Sequence, residues 1–448
     1  MENTWWLCIS PGLVRALRFL YNYAIFKWGR IIPTDAKELI VTYQPLLESM
    51  ADLVERMNML TGVAVAYGNK KDFCTAQIGN IQEIFKEGDV FVPCVRPVRE
   101  DTVYDLASLT KLFTLISVMQ LMECGELSFQ DKVGEIEPRF VNLNDVNVRD
   151  VLCYEASLQT PQRIDGQADR ESALHQVFLT GVNPVEPARL YSDMNALILK
   201  YVVEKVSRMP FFAYIQQNIL SPCGMKSTFS KIPTDRLKDC ACYNYEHRII
   251  KDEFFLRTDA PTGVPHDPKA RILSDGGRDL CGHAGLFSTL SDMRKLCQAL
   301  LSGRLITMDT LREIGINRTG HVGENGSYRQ YLGYLCFVKN PVQHFSEVPL
   351  WMSDRSFGLS GFTGNHVAID PDLGVFDLFL GNRCHNRLSI IQPREGVNIA
   401  QYGLTADGAG TVDWDDGRKV KSSYLYIHQK DRKLHEPIRE HMQLLGWI

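Results

Sequence analysis

The 448-residue chain has no long basic run, and its formal net charge is −4. Nucleic-acid binding wants a basic patch, so that class of partner is set aside. No CxxC or HExxH spacing occurs, so no metal site is expected and no cofactor is implied. No GxSxG is present, which argues against the strand-to-helix nucleophile turn of α/β-hydrolases. No uninterrupted apolar run approaches the roughly 18 residues that a membrane span requires. Repeats and low-complexity linkers are missing too. The twelve cysteines are scattered, and only Cys240 and Cys242 lie close together. That spacing gives no disulfide framework. Reduced, mostly buried thiols are expected, which points to a cytoplasmic compartment.

What is present is ordinary globular material, 45% hydrophobic and 23% charged. The length is ample for a large core and two lobes. The first 33 residues stand apart. They are rich in apolar and aromatic side chains, with Arg15, Arg18, Lys27 and Arg30 interrupting. They read as an amphipathic helix docked on the protein body. The other reading is an interfacial helix whose Trp5, Trp6, Phe19, Tyr21 and Trp28 touch a membrane or a protein partner.

Residues 36–60 carry apolar positions at helical spacing. GVAVAYGNKKDFCTAQIGN (62–80) reads as a hairpin around Gly68-Asn69-Lys70-Lys71. A helix is expected over 108–123, with Gly125 placed to end it. The signals from there to about 271 are mostly helical. Residues 288–301 read as a further helix, and HVAIDPDLGVFDLFLGN (366–382) as a second hairpin turning at Pro371-Asp372-Leu373-Gly374. Strands at both ends with helices between predict an α/β (α+β) fold: one sheet built from distant segments, with an inserted helical lobe. The predicted domains are 1–33, an amphipathic aromatic segment; 34–125 with 272–405, a discontinuous sheet domain; 126–271, a mostly helical domain; and 406–448, a polar C-terminal extension with a short terminal helix.

DLASLTKLF (105–113) places Ser108 and Lys111 one helical turn apart on one face, with Cβ atoms roughly 5–6 Å apart. A serine at a helix start sits at the positive end of the dipole, with its own N–H free to face an oxyanion. A lysine that activates it must be neutral part of the time. Burial and positive potential are expected to lower its pKa. The bland alternative is an ordinary helix cap. PARLYSDMNALILKYVVEKVS (187–207) supplies Tyr191, Ser192 and Asp193 just before a helix. A phenol beside an ammonium sheds its proton more easily and can shuttle it. The bland alternative is a packed aromatic with Asp193 as the cap.

With these motifs the chain resembles the serine β-lactamase and DD-peptidase superfamily, in its class C-like branch of esterases, peptidases and acyltransferases. DLASLTK is similar to that branch's first motif, and MECGELSFQDKV (122–133) to its continuation. Tyr191-Ser192-Asp193 matches the second motif. DLCGHAGLFSTLSDM (279–293) matches a further segment, where His283 is a candidate for the cleft lining. SFGLSGFTGNHVAIDPDLGVFDLFLGNR (356–383) corresponds to the edge-strand motif. The resemblance covers roughly residues 50–400. It implies an antiparallel sheet flanked by helices and a cleft where Ser360 and Gly361 let substrate lie against the strand. It also implies that the N–H of Phe362 partners that of Ser108 in holding an oxyanion. Leu359 departs from it, because a basic residue is usual there. Leu152-Cys153-Tyr154-Glu155-Ala156-Ser157-Leu158 departs as well, and so does the missing export signal.

The expectation is a serine acyl-enzyme catalyst acting on a small ester or amide. Ser108 is the nucleophile, Lys111 and Tyr191 move the proton, and Asp193 orients Lys111 or the substrate. Transfer of the acyl group to an acceptor other than water is the near variant. A degenerate fold used as a binding scaffold is the alternative, and a DD-peptidase or β-lactamase is a third reading. The oligomeric state stays open.

Overall fold

The computed structural model describes residues 43–185, 190–323, 328–342 and 347–448. The segment expected over 1–33 lies outside the described residues. Eleven strands and five helices fix the positions that matter below. Strand β1 (Gly62–Asn69) turns tightly into β2 (Phe73–Glu87), which returns along β3 (Val90–Pro97). The hairpin β4 (Glu246–Ile250) and β5 (Glu253–Arg257) comes much later in the chain. Strands β6 (Phe357–Gly361), β7 (Asn365–Asp370), β8 (Val375–Gly381) and β9 (Arg387–Gln392) follow. β10 (Thr411–Asp413) and β11 (Lys419–Ser422) close the set. The helices are α1 (Gln44–Ala51), α2 (Thr110–Glu123), α3 (Asp193–Ser207), α4 (Leu290–Leu301) and α5 (Glu436–Leu444).

The large sheet runs β6-β7-β8-β1-β2-β3, with the two-residue strand Phe337–Val338 added outside β6. Every neighbouring pair is antiparallel. Both predicted hairpins are present, and β8 pairs with β1 from Val375↔Asn69 to Gly381↔Val63. Distant segments thus form one sheet.

Its central strands are buried on both faces, so they read as nearly continuous apolar runs. Along β1, Ala64 and Ala66 face one core, and Val63, Val65 and Tyr67 face another. β8 divides the same way: Phe376, Leu378 and Leu380 on one side, Val375 and Phe379 on the other. The first core holds α2, α3 and α4; the second holds α1 and α5. α2 is apolar almost all round, which is why it is enclosed. Burying each of its Leu and Phe side chains contributes about 1.5–3 kcal/mol. Gly125, at φ +73°, ends this helix as its position predicts.

Two domain expectations change. Residues 126–271 are helical in good part but also contain the β4–β5 hairpin. That hairpin joins a five-stranded sheet, β10-β11-β9-β4-β5, whose other strands come from beyond residue 386. The tail from 406, expected as a polar extension with a short terminal helix, does end in a helix, α5, and it packs against a core. Tyr426, Leu434, Ile438 and Met442 are buried beneath the large sheet. α5 repeats apolar residues on one face only, so its polar composition gives no sign of the docking. The eleven described cysteines are all free. Among the described residues, no helix is long and apolar enough to cross a membrane.

Candidate active site

The turn that carries Ser108 is held from four directions by one buried carboxylate residue. Asp105 Oδ1 accepts the N–H of Ala107 at 2.9 Å, and Oδ2 accepts that of His266 at 2.7 Å. The Asp105 carbonyl takes the Thr363 hydroxyl at 3.1 Å and the Asn365 amide at 2.7 Å. Burial pushes the Asp105 carboxyl up, against the pull of the His266 and Ala107 hydrogen bonds. Ala107 has φ +48°, a left-handed conformation that is strained for a residue with a Cβ. The strain turns the chain into a 3₁₀ turn, Ala107–Leu109, which continues into α2. Ser108 is half-buried at the middle of that turn.

The GHAG segment lies between the first two motifs. Val103–Asp105 pairs antiparallel with Phe287–Thr289, and Leu106 N–H donates to the Leu286 carbonyl at 2.9 Å. Thr114 on α2 donates to the Gly282 carbonyl at 2.6 Å. A Cβ on Gly282 would stand 2.1 Å from the carbonyl oxygen of Ala196 on α3. Glycine is required there by close approach, and the loop ties α2 to α3.

Lys111 is completely buried, in the first turn of α2. Its Nζ donates to Ser108 Oγ at 3.0 Å, to Asp193 Oδ1 at 2.7 Å and to the His283 carbonyl at 3.4 Å. Three acceptors match the three N–H bonds of an ammonium. Burial acts to lower the lysine pKa, but the Asp193 charge and the Tyr191 phenol outweigh it and raise it. The downward shift expected from sequence is therefore reversed, because an acid lies against the amine. Asp193 is free to do this because Ser192 caps α3 instead, accepting from Met194 N–H at 3.2 Å. Asp193 Oδ2 also reaches Lys269 Nζ at 2.8 Å. Burial opposes ionisation of Asp193, yet Lys111, His283 and Lys269 hold it well below the usual carboxylate range.

Tyr191 presents its ring to the ammonium, with Lys111 Nζ 4.9 Å from the centroid. The ring stacks on Phe337 at 4.7 Å and leans on Tyr154 at 5.7 Å. Tyr154 belongs to the stretch 152–158, so that departure supplies packing for the phenol. The Leu190 and Tyr191 N–H groups both donate to Gln330 Oε1, at 2.8 and 2.9 Å.

The last motif divides. Phe362 is on the cavity wall with Ala107 and Ser108. A Cβ on Gly361 would stand 2.9 Å from the Leu106 carbonyl, so β6 runs directly beside the turn that carries Ser108. Ser360 points elsewhere: its hydroxyl contacts Glu347 and lies 2.9 Å from His366 Nδ1. The structure does not bring it into the cavity lining. Leu359 is buried in the core with α2. The His283 ring is buried behind the site, with Nε2 3.0 Å from Asp267 Oδ1.

A cavity of about 440 Å³ opens over Ser108, Tyr191 and Asp193. The cavity is also lined by Arg248, Arg257, His266 and Asp267, none of which the sequence singles out. His266-Asp267-Pro268 shows only a helix-start signal, and Arg248 and Arg257 fall in a stretch that reads as mostly helical. Asp193, Asp267 and His283 bring possible metal-ligand atoms within 4.8 Å of one another. Lys111 and Lys269 already supply two positive charges to those two carboxylates.

The Beta-lactamase family model matches residues 63–394. A protein named "Putative D-alanyl-D-alanine carboxypeptidase" from Salmonella enteritidis PT4 is 27% identical over 349 residues, covering 71% of this chain and 77% of that protein. Among solved structures, simvastatin synthase (LovD) from Aspergillus terreus superposes with a TM-score of 0.60 at 16% identity, covering 89% of this chain and 98% of that one. EstCE1, described as a hydrolase with promiscuous acyltransferase activity, gives 0.58 at 15% identity, covering 76% and 94%. At such identities the structural likeness speaks for the fold.

Proposed function

The chain belongs to the Beta-lactamase family, and from that premise we propose that it is a serine hydrolase forming an acyl-enzyme on Ser108 with a small ester or amide. The observation that carries this reading is the 3.0 Å contact between Ser108 Oγ and the buried Lys111 Nζ at the floor of the cavity. A fully buried lysine is costly, and a purely structural role does not call for a serine and a phenol beside it.

Ser108 Oγ attacks the carbonyl carbon, and the oxygen–carbon bond forms as the carbonyl oxygen becomes an oxyanion. The N–H groups of Ser108 and Phe362 receive that charge, where one donor is worth roughly 3–4 kcal/mol in the transition state. With Lys111 cationic at rest, Tyr191 acts as the phenolate held by that ammonium: its oxygen takes the serine proton and becomes the neutral phenol, which carries the proton onward, while the ammonium stabilises the charge that develops. The proton passes to the leaving group as the carbon–leaving-group bond breaks. Water then repeats the attack and releases the acid. Transfer to another acceptor differs only in that second nucleophile.

The test is intact-protein mass spectrometry after incubation with a fluorophosphonate, a panel of p-nitrophenyl esters and a penicillin. A stoichiometric adduct that disappears in Ser108→Ala supports the reading. An adduct with the penicillin alone favours the DD-peptidase or β-lactamase variant. A folded protein that no reagent labels overturns the hydrolase reading in favour of a binding scaffold.

A further inference from the structure

We infer that His366, Asp377 and His435 form a binding site for a divalent transition-metal ion, zinc fitting it best, that fastens the start of α5 to the large sheet. The site shares no residue with the Ser108 cavity and does not depend on the chemistry proposed there. β7 carries His366 and β8 carries Asp377. The pairs His366↔Phe379 and Ala368↔Asp377 set the two side chains diagonally on one face of the sheet. His435 comes from the turn Asp431–His435 that leads into α5. All three residues are buried, with at most 2% of their surface exposed.

The donors converge. The two imidazole rings stand 4.8 Å apart at 77° to each other, and Phe379 packs on both, at 5.4 and 4.9 Å. One ligand atom from each of the three residues lies within 4.8 Å of the other two. His366 Nε2 is 3.7 Å from Asp377 Oδ1. Two donors that share one zinc, each about 2.1 Å from it at a tetrahedral angle, stand roughly 3.4 Å apart, so little movement is needed. Two imidazoles and a carboxylate suit zinc or a neighbouring late first-row ion rather than magnesium or calcium. The CxxC and HExxH spacings cannot reveal such a site, because its donors come from two strands and a distant helical turn.

The hydrogen bonds carry the inference furthest. Ser360 donates its proton to Glu347 Oε2, so its oxygen accepts from His366 Nδ1–H, at 2.9 Å. That fixes the neutral tautomer, with the lone pair on Nε2. The lone pair faces Asp377 Oδ1, itself an acceptor. Both atoms are buried, and neither has a hydrogen-bond partner among the described residues. Two acceptors turned towards each other in a dry interior repel, and buried polar groups are normally satisfied. A cation between them satisfies both. Ser360 and Glu347 then hold the ring by its other nitrogen, as outer groups do for metal-binding histidines.

His435 completes the set. Its Nδ1 lies 2.6 Å from Asp377 Oδ2, and Lys430 Nζ is 3.3 Å from its Nε2. With the ion bound, Nδ1 gives its lone pair to the metal. The one proton of the neutral ring then sits on Nε2 and faces Asp431 Oδ1, at 3.6 Å. Lys430 turns to the same carboxylate, 3.4 Å away. The ring keeps one proton throughout, so none is released. The two charges of the ion and the one on Lys430 are matched by Asp377, Glu347 and Asp431.

The experiment measures metal on the full chain. The protein is produced with zinc, dialysed against EDTA to remove surface metal, and analysed by elemental mass spectrometry. It is then produced with cobalt for its absorption spectrum. The expected result is about one retained zinc per chain, since the binding energy of a buried site is also folding energy. Asp377→Asn and His435→Gln are expected to retain at least about tenfold less, and Ser360→Ala an intermediate amount. Cobalt is expected to give the visible bands of a tetrahedral nitrogen and oxygen site, without a thiolate charge-transfer band. Asp267→Asn and Cys384→Ser are expected to keep the zinc, which separates this site from the Asp193–Asp267–His283 and Glu246–His266–Cys384 clusters. A folded full chain without metal overturns the inference. So does a thiolate band, or zinc that stays in folded His435→Gln or leaves with Asp267→Asn. If the ligand variants fail to fold, the zinc content and cobalt spectrum of the unaltered chain decide, together with Asp267→Asn.

Discussion

Asp193 Oδ1 lies 2.7 Å from Lys111 Nζ. That ion pair sets the protonation state of the amine beside Ser108, 82 residues earlier in the chain. A carboxylate this close favours the ammonium, and the lysine in turn keeps the acid ionised.

Replacing Asp193 by Asn removes the group that raises the Lys111 pKa. The ammonium exists below that pKa and is lost as pH rises through it. Without the carboxylate, the loss begins at lower pH. The alkaline limb of the pH–rate profile for Ser108 acylation is expected to move down by about 1–3 units, the range an adjacent opposite charge commands. A limb that stays in place in a folded Asp193→Asn protein contradicts the assignment of a cationic lysine.

Gly361→Ala tests the alignment of β6 with the turn that carries Ser108. The added Cβ would stand 2.9 Å from the Leu106 carbonyl, 3.2 Å from Asn365 Cβ and 3.5 Å from Ala107 Cβ. Either the strand or the turn must shift, and the Phe362 N–H moves with it. Acylation is expected to slow by about 10- to 100-fold, because an oxyanion donor acts only at the correct position. The thermal midpoint should fall only slightly. Wild-type acylation rates in this variant would rule out Phe362 N–H as a donor.

Acid stability depends on a pair far from the cavity. Arg387 is completely buried, and its two terminal nitrogens grip Glu83 at 2.7 and 2.8 Å while Nε binds the Asn58 carbonyl at 2.6 Å. Burial opposes the Glu83 charge, but the Arg387 hydrogen bonds and charge bring its pKa from 4.5 down to about 2. A depressed acid stabilises the fold above its ordinary pKa, and that stability is lost as pH falls towards 2. The shift corresponds to about 3 kcal/mol. Urea unfolding followed from pH 6 to pH 2.5 should show this loss. Glu83→Gln should lower stability by about 3–5 kcal/mol at pH 7, by stranding a buried guanidinium, and flatten the acid dependence. An unchanged acid limb in that variant would assign the loss to other carboxylates.

The hairpins at 62–80 and 366–382, the enclosed helix after Ser108 and its glycine stop were legible because each is written in local terms: a turn sequence, an apolar run, a left-handed glycine. The serine, lysine, phenol and acid of the site were legible as short motifs in order. The β4–β5 hairpin was harder to place. Its strand β4 pairs with β9, more than a hundred residues away, and the surrounding stretch read as mostly helical. The short helix at the end of the tail was legible, but its docking under the sheet was not, since a helix that buries one narrow face has a polar average.

The sequence by itself determined which chemical groups are present and which local elements carry them. Tertiary structure alone decided their charges and directions. Lys111 is an ammonium because Asp193 folds against it, Ser360 turns towards His366 rather than the cavity, and two arginines from a distant hairpin face Ser108. Protonation and orientation depend on neighbours a few ångströms away in space, and those neighbours are set by packing that no short stretch of chain encodes.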